Sequence, residues 1–235
     1  MATTLAIIGA TGLVGNNFLT LSKTATIPGI SKVIALTRRP IAGASLSDTV
    51  TNLVTSDLAA DMPPDTKILF SGLGTTRAAA GGFENQYKIE HGINVEAAVA
   101  AKKAGASVYV LVSAAGADCK SRFAYSAMKG DIERDTIGLE FDRTIVLRPG
   151  LIIGDRAESR PMEHVAQVLF RGIIKISYFG NIVRTAMVAP AVDIAKAAMR
   201  ALQTEGSGVQ ILENSDIVRL AAEYDSLSRK GNTLT

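Results

Sequence analysis

The stretch Thr4-Leu5-Ala6-Ile7-Ile8, running straight into Gly9-Ala10-Thr11-Gly12-Leu13-Val14-Gly15, constrains this chain more than any other feature. The first part is apolar or β-branched without polar alternation, and reads as a strand covered on both faces. A strand that feeds a glycine-rich turn and then a helical pattern belongs to an α/β layered fold. Glycine is needed where the backbone turns tightly and passes close to another group. The helix that follows offers unpaired N–H groups and its positive dipole end to a phosphate. Gly9, Thr11, Gly12, Leu13, Val14 and Gly15 therefore form a candidate dinucleotide-binding loop; the alternative is a plain tight turn.

The remainder continues the alternation. Val-, Ile- and Leu-rich runs at Leu5–Ile8, Lys32–Thr37, Lys67–Ser71, Ser107–Val112 and Thr144–Arg148 are separated by helical patterns at Leu13–Lys23, Phe83–Ala104 and Ser126–Leu139. Asn52–Thr55 is a weaker strand candidate. This order predicts a doubly wound parallel sheet with right-handed crossovers. After Pro149 the pattern loosens into helices at Met162–Ser177 and Ala191–Gln203 and a late strand at Val209–Leu212. A chain of 235 residues, 47% apolar and without a shift in composition, suits one α/β Rossmann-type domain. Residues 1–150 would carry the cofactor and catalytic groups, and residues 151–235 a small C-terminal substrate-side portion.

Several classes are disfavoured. The single cysteine, Cys119, forms no intrachain disulfide, and no metal site is expected. A formal net charge of +3 without a run of basic residues argues against a nucleic-acid partner. No apolar stretch approaches the about 20 residues needed to span a bilayer. A strand that begins at Thr4 leaves no room for a cleavable presequence, so any organelle address is uncleaved or lies elsewhere.

Further loops follow the strands at the edge where such sheets bind ligands. Beyond Thr37 come Arg38 and Arg39, where an NAD-selective site would place an acid for the ribose hydroxyls. Two guanidinium groups suit a 2′-phosphate instead, which points to NADP; a solvated basic turn is the alternative. Asp57 follows the third strand and is either a contact to the adenine edge or a solvated loop acid. In Gly72-Leu73-Gly74-Thr75-Thr76-Arg77, the residues Leu73, Gly74 and Thr75 can pass close to the adenosine ribose and pyrophosphate.

Tyr125 and Lys129 stand four apart in a helical pattern and so share a face. A phenol with its usual pKa of about 10 exchanges protons poorly at neutral pH, and a neighbouring ammonium favours the phenolate. Ser113 ends the fifth strand, where its hydroxyl would hydrogen-bond a carbonyl held beside the tyrosine. Asn94 is a candidate anchor for a water relaying protons to Lys129, or else a helix-kinking or solvent-facing residue. An exposed face with an unrelated Tyr and Lys is the bland reading, and the order of glycine loop, strand-end serine and Tyr–Lys pair weighs against it.

With these motifs in place the chain resembles the atypical short-chain dehydrogenase/reductases. It resembles more narrowly the fungal mitochondrial outer-membrane proteins related to the animal Tat-interacting oxidoreductase. The carriers are GATGLVG at Gly9–Gly15, GTTRAAAGG at Gly74–Gly82, LVSAAGAD at Leu111–Asp118, RFAYSAMKGDIERD from Arg122, and LRPGLIIGDRAESRP at Leu147–Pro161. The resemblance implies NADPH binding and places the serine, tyrosine and lysine roles on Ser113, Tyr125 and Lys129, with Asn94 in the fourth position. It implies that Pro149, Leu151 and Ile152 lie in the loop holding the nicotinamide carboxamide. The implied reaction is hydride transfer to a carbonyl, with Tyr125 giving the proton. The implied location is the cytosol-facing mitochondrial outer membrane.

The substrate is set after Gly150. That region is short beside the larger C-terminal part of the extended sugar-nucleotide epimerases of the same superfamily, which disfavours them. Met162–Ser177 lines a greasy pocket for an apolar carbonyl compound, lies on a membrane as a peripheral contact, forms a subunit contact in a dimer, or packs on the core of a monomer. An NADPH-binding redox-responsive adaptor with little turnover is the other functional class, and a membrane-associated scaffold is a third.

Overall fold

Alternate residues of β1 (Thr4–Ile8) point to opposite faces, and both faces are buried. Leu5 and Ile7 join an apolar cluster with Val14 and Phe18 of α1 (Leu13–Leu21), whereas Ala6 and Ile8 join a second cluster on the other side. This is a sheet held between two helical layers. The computed structural model describes residues 3–41, 49–154 and 187–232.

Along the chain follow β2 (Lys32–Thr37), β3 (Val50–Val54), β4 (Thr66–Ser71), β5 (Val108–Val112), β6 (Arg143–Arg148), β7 (Leu151–Ile153), β8 (Val188–Pro190) and β9 (Gly208–Glu213). The main sheet has the order β3-β2-β1-β4-β5-β6-β9 with every pairing parallel, and β7 and β8 form a separate parallel pair. The doubly wound parallel sheet expected from the alternation is therefore present. The order departs from β1 in two directions, so a crevice opens beyond the carboxyl ends of β1 and β4.

The helices are α2 (Arg77–Ala80), α3 (Phe83–Tyr87), α4 (Ile93–Lys103), α5 (Ala124–Ile137), α6 (Ala191–Leu202) and α7 (Asn214–Asn232). The single helix expected over Phe83–Ala104 is broken by a π-helical turn at Lys88–Gly92. Two further differences are the short strands β7 and β8 and the long helix α7. The last begins directly where β9 ends, with no turn residues to mark it. The helix expected at Met162–Ser177 lies outside the described residues. One face of the sheet is covered by α1, α6 and α7, the other by α4 and α5. Phe18 stacks on Phe70 with ring centroids 3.8 Å apart, tying α1 to β4. Alanines 191, 195, 198 and 201 are fully or almost fully buried along α6, and their small size lets α6 lie close on α1.

The first loop needs its glycines. Gly9 has φ +77°, and a Cβ there would stand 2.5 Å from the backbone of Gly72 and Leu73. A Cβ on Gly15 would meet the Gly9 carbonyl at 2.2 Å. Both the left-handed backbone and the close approach exclude a side chain. Gly9→Ala is expected to lower the unfolding free energy by about 2 kcal/mol. Urea denaturation measures this, and an unchanged midpoint would mean the loop has slack.

Candidate active site

The carboxyl edge of the sheet gathers the candidate cofactor residues. The Gly72 amide donates to the Ile8 carbonyl at 3.0 Å, which lays the loop after β4 against the loop after β1. Gly12 caps α1 without a side-chain hydrogen bond, and the first turn holds no acid. Nothing built into the helix thus competes with an incoming anion for its positive end. A Cβ on Gly154, just past β7, would come within 3.3 Å of the Leu13 side chain, so β7 ends over the start of α1. Leu151 and Ile152 on β7 are each over one-third exposed, whereas Pro149 is buried. The Pro149 carbonyl accepts from the Ala115 amide at 2.8 Å, joining this segment to the loop after Ser113.

Arg38 and Arg39 are exposed just past the end of β2. Asp57 is committed within its own loop, where its Oδ1 accepts from the amides of Ala59 and Ala60 at 3.1 and 2.9 Å. It caps a turn beyond β3 through that one oxygen.

Tyr125 and Lys129 sit on one face of α5, with the Lys129 ammonium 6.0 Å from the centre of the tyrosine ring. Lys129 is buried, while Tyr125 remains 48% exposed. The helix can press this deep because residue 130 is glycine: a Cβ there would strike the backbone of Asp118 and Cys119 within 2.3 Å. Burial pushes the Tyr125 phenol above its usual range; Lys129 pulls it down and Glu90 pushes it up. The sequence leads one to expect a phenol made more acidic by its lysine. That influence is present, but desolvation and Glu90 outweigh it.

Two buried glutamates, absent from the sequence-based site, organise this face. Glu90, in the π turn, is 2.8 Å from the Lys129 ammonium through Oε2. Its Oε1 accepts from the Thr75 amide at 3.1 Å and from the Gln86 side chain at 2.9 Å. Asn94 is fully buried one turn later. Its amide donates to the Glu90 carbonyl at 2.6 Å, and its own oxygen accepts from Ser71. Asn94 thus fastens the π turn, which agrees with the kinking role, and its burial rules out the solvent-facing one. Glu133 lies one turn beyond Lys129. The Ser113 hydroxyl donates to its Oε1 at 2.5 Å, and Arg148 clamps both carboxylate oxygens at 3.1 and 2.6 Å. Arg148 continues to Glu213 at 3.1 Å, and its hydrogen bond to Glu133 holds the guanidinium above its ordinary range. The Ser113 proton is therefore directed at Glu133, so donation to a substrate carbonyl requires that hydroxyl to turn.

Tyr125, Lys129 and Glu133 form a row at i, i+4 and i+8, a spacing that marks the second acid from sequence. Glu90 carries no such mark, because the π turn shifts the helical phase between it and α4.

This fold is an α/β Rossmann-type, doubly wound parallel sheet, with the candidate residues along its carboxyl edge. Similar solved structures include a dTDP-glucose 4,6-dehydratase, DesIV of Streptomyces venezuelae, with NAD bound: TM-score 0.67, 13% identity, covering 96% of this chain and 81% of that one. MoeE5 in complex with UDP-glucose and NAD gives 0.64 at 15% identity, covering 95% and 82%. These likenesses are of fold. No family model matches the chain. Among curated proteins, the mitochondrial protein fmp52-1 of Aspergillus oryzae is 43% identical over 230 residues, covering 92% of this chain and 97% of that protein. The mitochondrial protein FMP52 of Eremothecium gossypii is 39% identical over 225 residues, covering 94% and 98%. The chain belongs to the fmp52 family.

Proposed function

We propose that this chain is an NADPH-dependent oxidoreductase that reduces a small carbonyl compound, with Tyr125 as proton donor. The observation that carries the reading is a buried lysine one helical turn from a tyrosine, at the same sheet edge as a glycine cradle that a single Cβ would fill. The uncapped start of α1 and Gly9, Thr11, Gly12, Leu13, Val14 and Gly15 suit a pyrophosphate; Arg38 and Arg39 suit a 2′-phosphate. Leu73, Gly74 and Thr75 would border the adenosine ribose, and Pro149, Leu151 and Ile152 the carboxamide. When bound, the nicotinamide supplies the hydride. Lys129 would hold its ribose, and Ser113 would orient the carbonyl once released from Glu133. Orienting both reactants in one crevice removes most of the entropic barrier of a two-body step.

The mitochondrial names of the relatives support the same address here, and the family resemblance adds the cytosol-facing outer membrane. Among the described residues no helix is long and apolar enough to cross a membrane.

NADPH consumption against a panel of aldehydes, ketones and quinones tests the reading. Turnover on any compound supports a reductase; tight NADPH binding without turnover favours an adaptor, and no dinucleotide binding overturns both. The cofactor choice has its own test. Replacing Arg38 and Arg39 together with alanine is expected to weaken NADPH binding by roughly tenfold or more and to leave NADH binding unaltered, because only the 2′-phosphate loses charge-assisted hydrogen bonds. Isothermal calorimetry with both nucleotides decides it, and a parallel loss of the two would remove the arginines from the phosphate site.

A further inference from the structure

We propose that Glu90 is a positioning residue: one buried carboxylate holds the Lys129 ammonium and the Thr75 amide, tying the loop after β4 to the helix that carries Tyr125. The inference gives that site a regulating acid and rests on the proposed function only for its catalytic meaning.

The two oxygens divide the work. Oε2 takes the ammonium at 2.8 Å, while Oε1 takes the Thr75 amide and the Gln86 side chain. Gln86 also donates to the Thr75 carbonyl at 3.1 Å, so both polar groups of that residue's backbone are held. The Glu90 side chain is 1% exposed and that of Lys129 is 7% exposed. An ion pair this deep is little screened by water, and loss of either partner leaves the other charge stranded. The π turn brings Glu90 to this place, and Asn94 pins that turn through the Glu90 carbonyl. Gly74 completes the fit: a Cβ there would touch the Glu90 carboxylate at 3.8 Å, so nothing bulky intervenes between acid and loop.

The charged groups acting on Tyr125 are Lys129 from its own helix and Glu90 from the helix packed against it, with opposite signs. Part of the lysine's influence is thereby offset, and the phenol stays protonated at higher pH than a Tyr–Lys pair alone would allow. In a reductase that is the form that donates a proton.

The test follows the phenolate absorbance of Tyr125 during alkaline titration, isolated as the difference between each protein and its Tyr125→Phe counterpart. It needs neither dinucleotide nor substrate, so it stands even if the chain binds no NADPH. Glu90→Gln is expected to lower the Tyr125 midpoint by about one pH unit. An unchanged midpoint in a variant that melts cooperatively would reduce Glu90 to a structural ion pair and overturn the proposal. Should the single variant fail to fold, Glu90→Gln combined with Lys129→Gln leaves no buried charge unpaired. Its midpoint is expected near the wild-type value, because two opposed influences leave together. A midpoint as high as that of Lys129→Gln alone would show that Glu90 contributes nothing.

Discussion

Tyr125→Phe is expected to lower NADPH-dependent carbonyl reduction by about 10²- to 10⁴-fold while NADPH affinity stays almost unchanged. The substitution removes one hydroxyl from a side chain that is half exposed, so packing is barely altered. It removes the only proton donor that the proposed chemistry assigns to the reacting oxygen. The raised Tyr125 pKa gives the sign of the pH dependence. The acid form persists through the neutral range, so reduction should be flat there and fall as pH rises through that pKa. Oxidation of an alcohol, which needs the phenolate, should be slow at neutral pH and rise in the same window. Steady-state rates in both directions, with NADPH titrations of the variant, provide the check. Full turnover in Tyr125→Phe would assign the proton to another group.

Glu133→Ala carries the largest expected effect on stability. The carboxylate is almost fully buried and serves Ser113 and both arms of Arg148. Its removal leaves a guanidinium whose side chain is 21% exposed without its principal partner; Glu213, on the exposed side, compensates little. Breaking such a pair costs about 3 kcal/mol, toward the low end of buried pairs because Arg148 retains some water. For a chain of this size that lowers the melting temperature by about 6–12 °C. Glu133→Gln keeps an acceptor for Ser113 and should lose less than half as much. Replacing Glu133 with leucine and Arg148 with methionine together should recover most of the loss, because no buried charge is then stranded. A melting temperature of Glu133→Ala equal to that of the native protein would mean that water replaces the carboxylate at no net cost.

What could be read ahead of the structure was local. The strand, glycine turn and helix at Thr4–Leu21 follow one another directly, and Tyr125 and Lys129 share a helix face by spacing alone. The strands were legible because apolar runs covered on both sides have few other uses. What escaped depends on partners distant in sequence. Ser113 and Glu133 meet across twenty residues, and Arg148 and Glu213 across sixty-five. The π turn hides Glu90 by breaking the helical period on which face assignments rest. The strands β7 and β8 are three residues each and exist because Gly150 lets the chain pass against Met187. For α7, charged residues such as Asp216, Arg219 and Glu223 pair with one another along the helix surface and mask the apolar stripe of Ile217, Leu220 and Ala221.

The packing of α6 on α1 also governs the order in which the molecule can be completed. Helix α1 is covered by a helix synthesised much later, and the Gln203 side chain reaches back 177 positions to the Thr26 carbonyl. Until that distant segment has been synthesised, Leu13, Val14 and Phe18 lack part of the surface against which they finally pack. The nascent glycine-rich loop therefore waits, partly uncovered, until that segment has been made, and its closure is a non-local event in the folding of this chain.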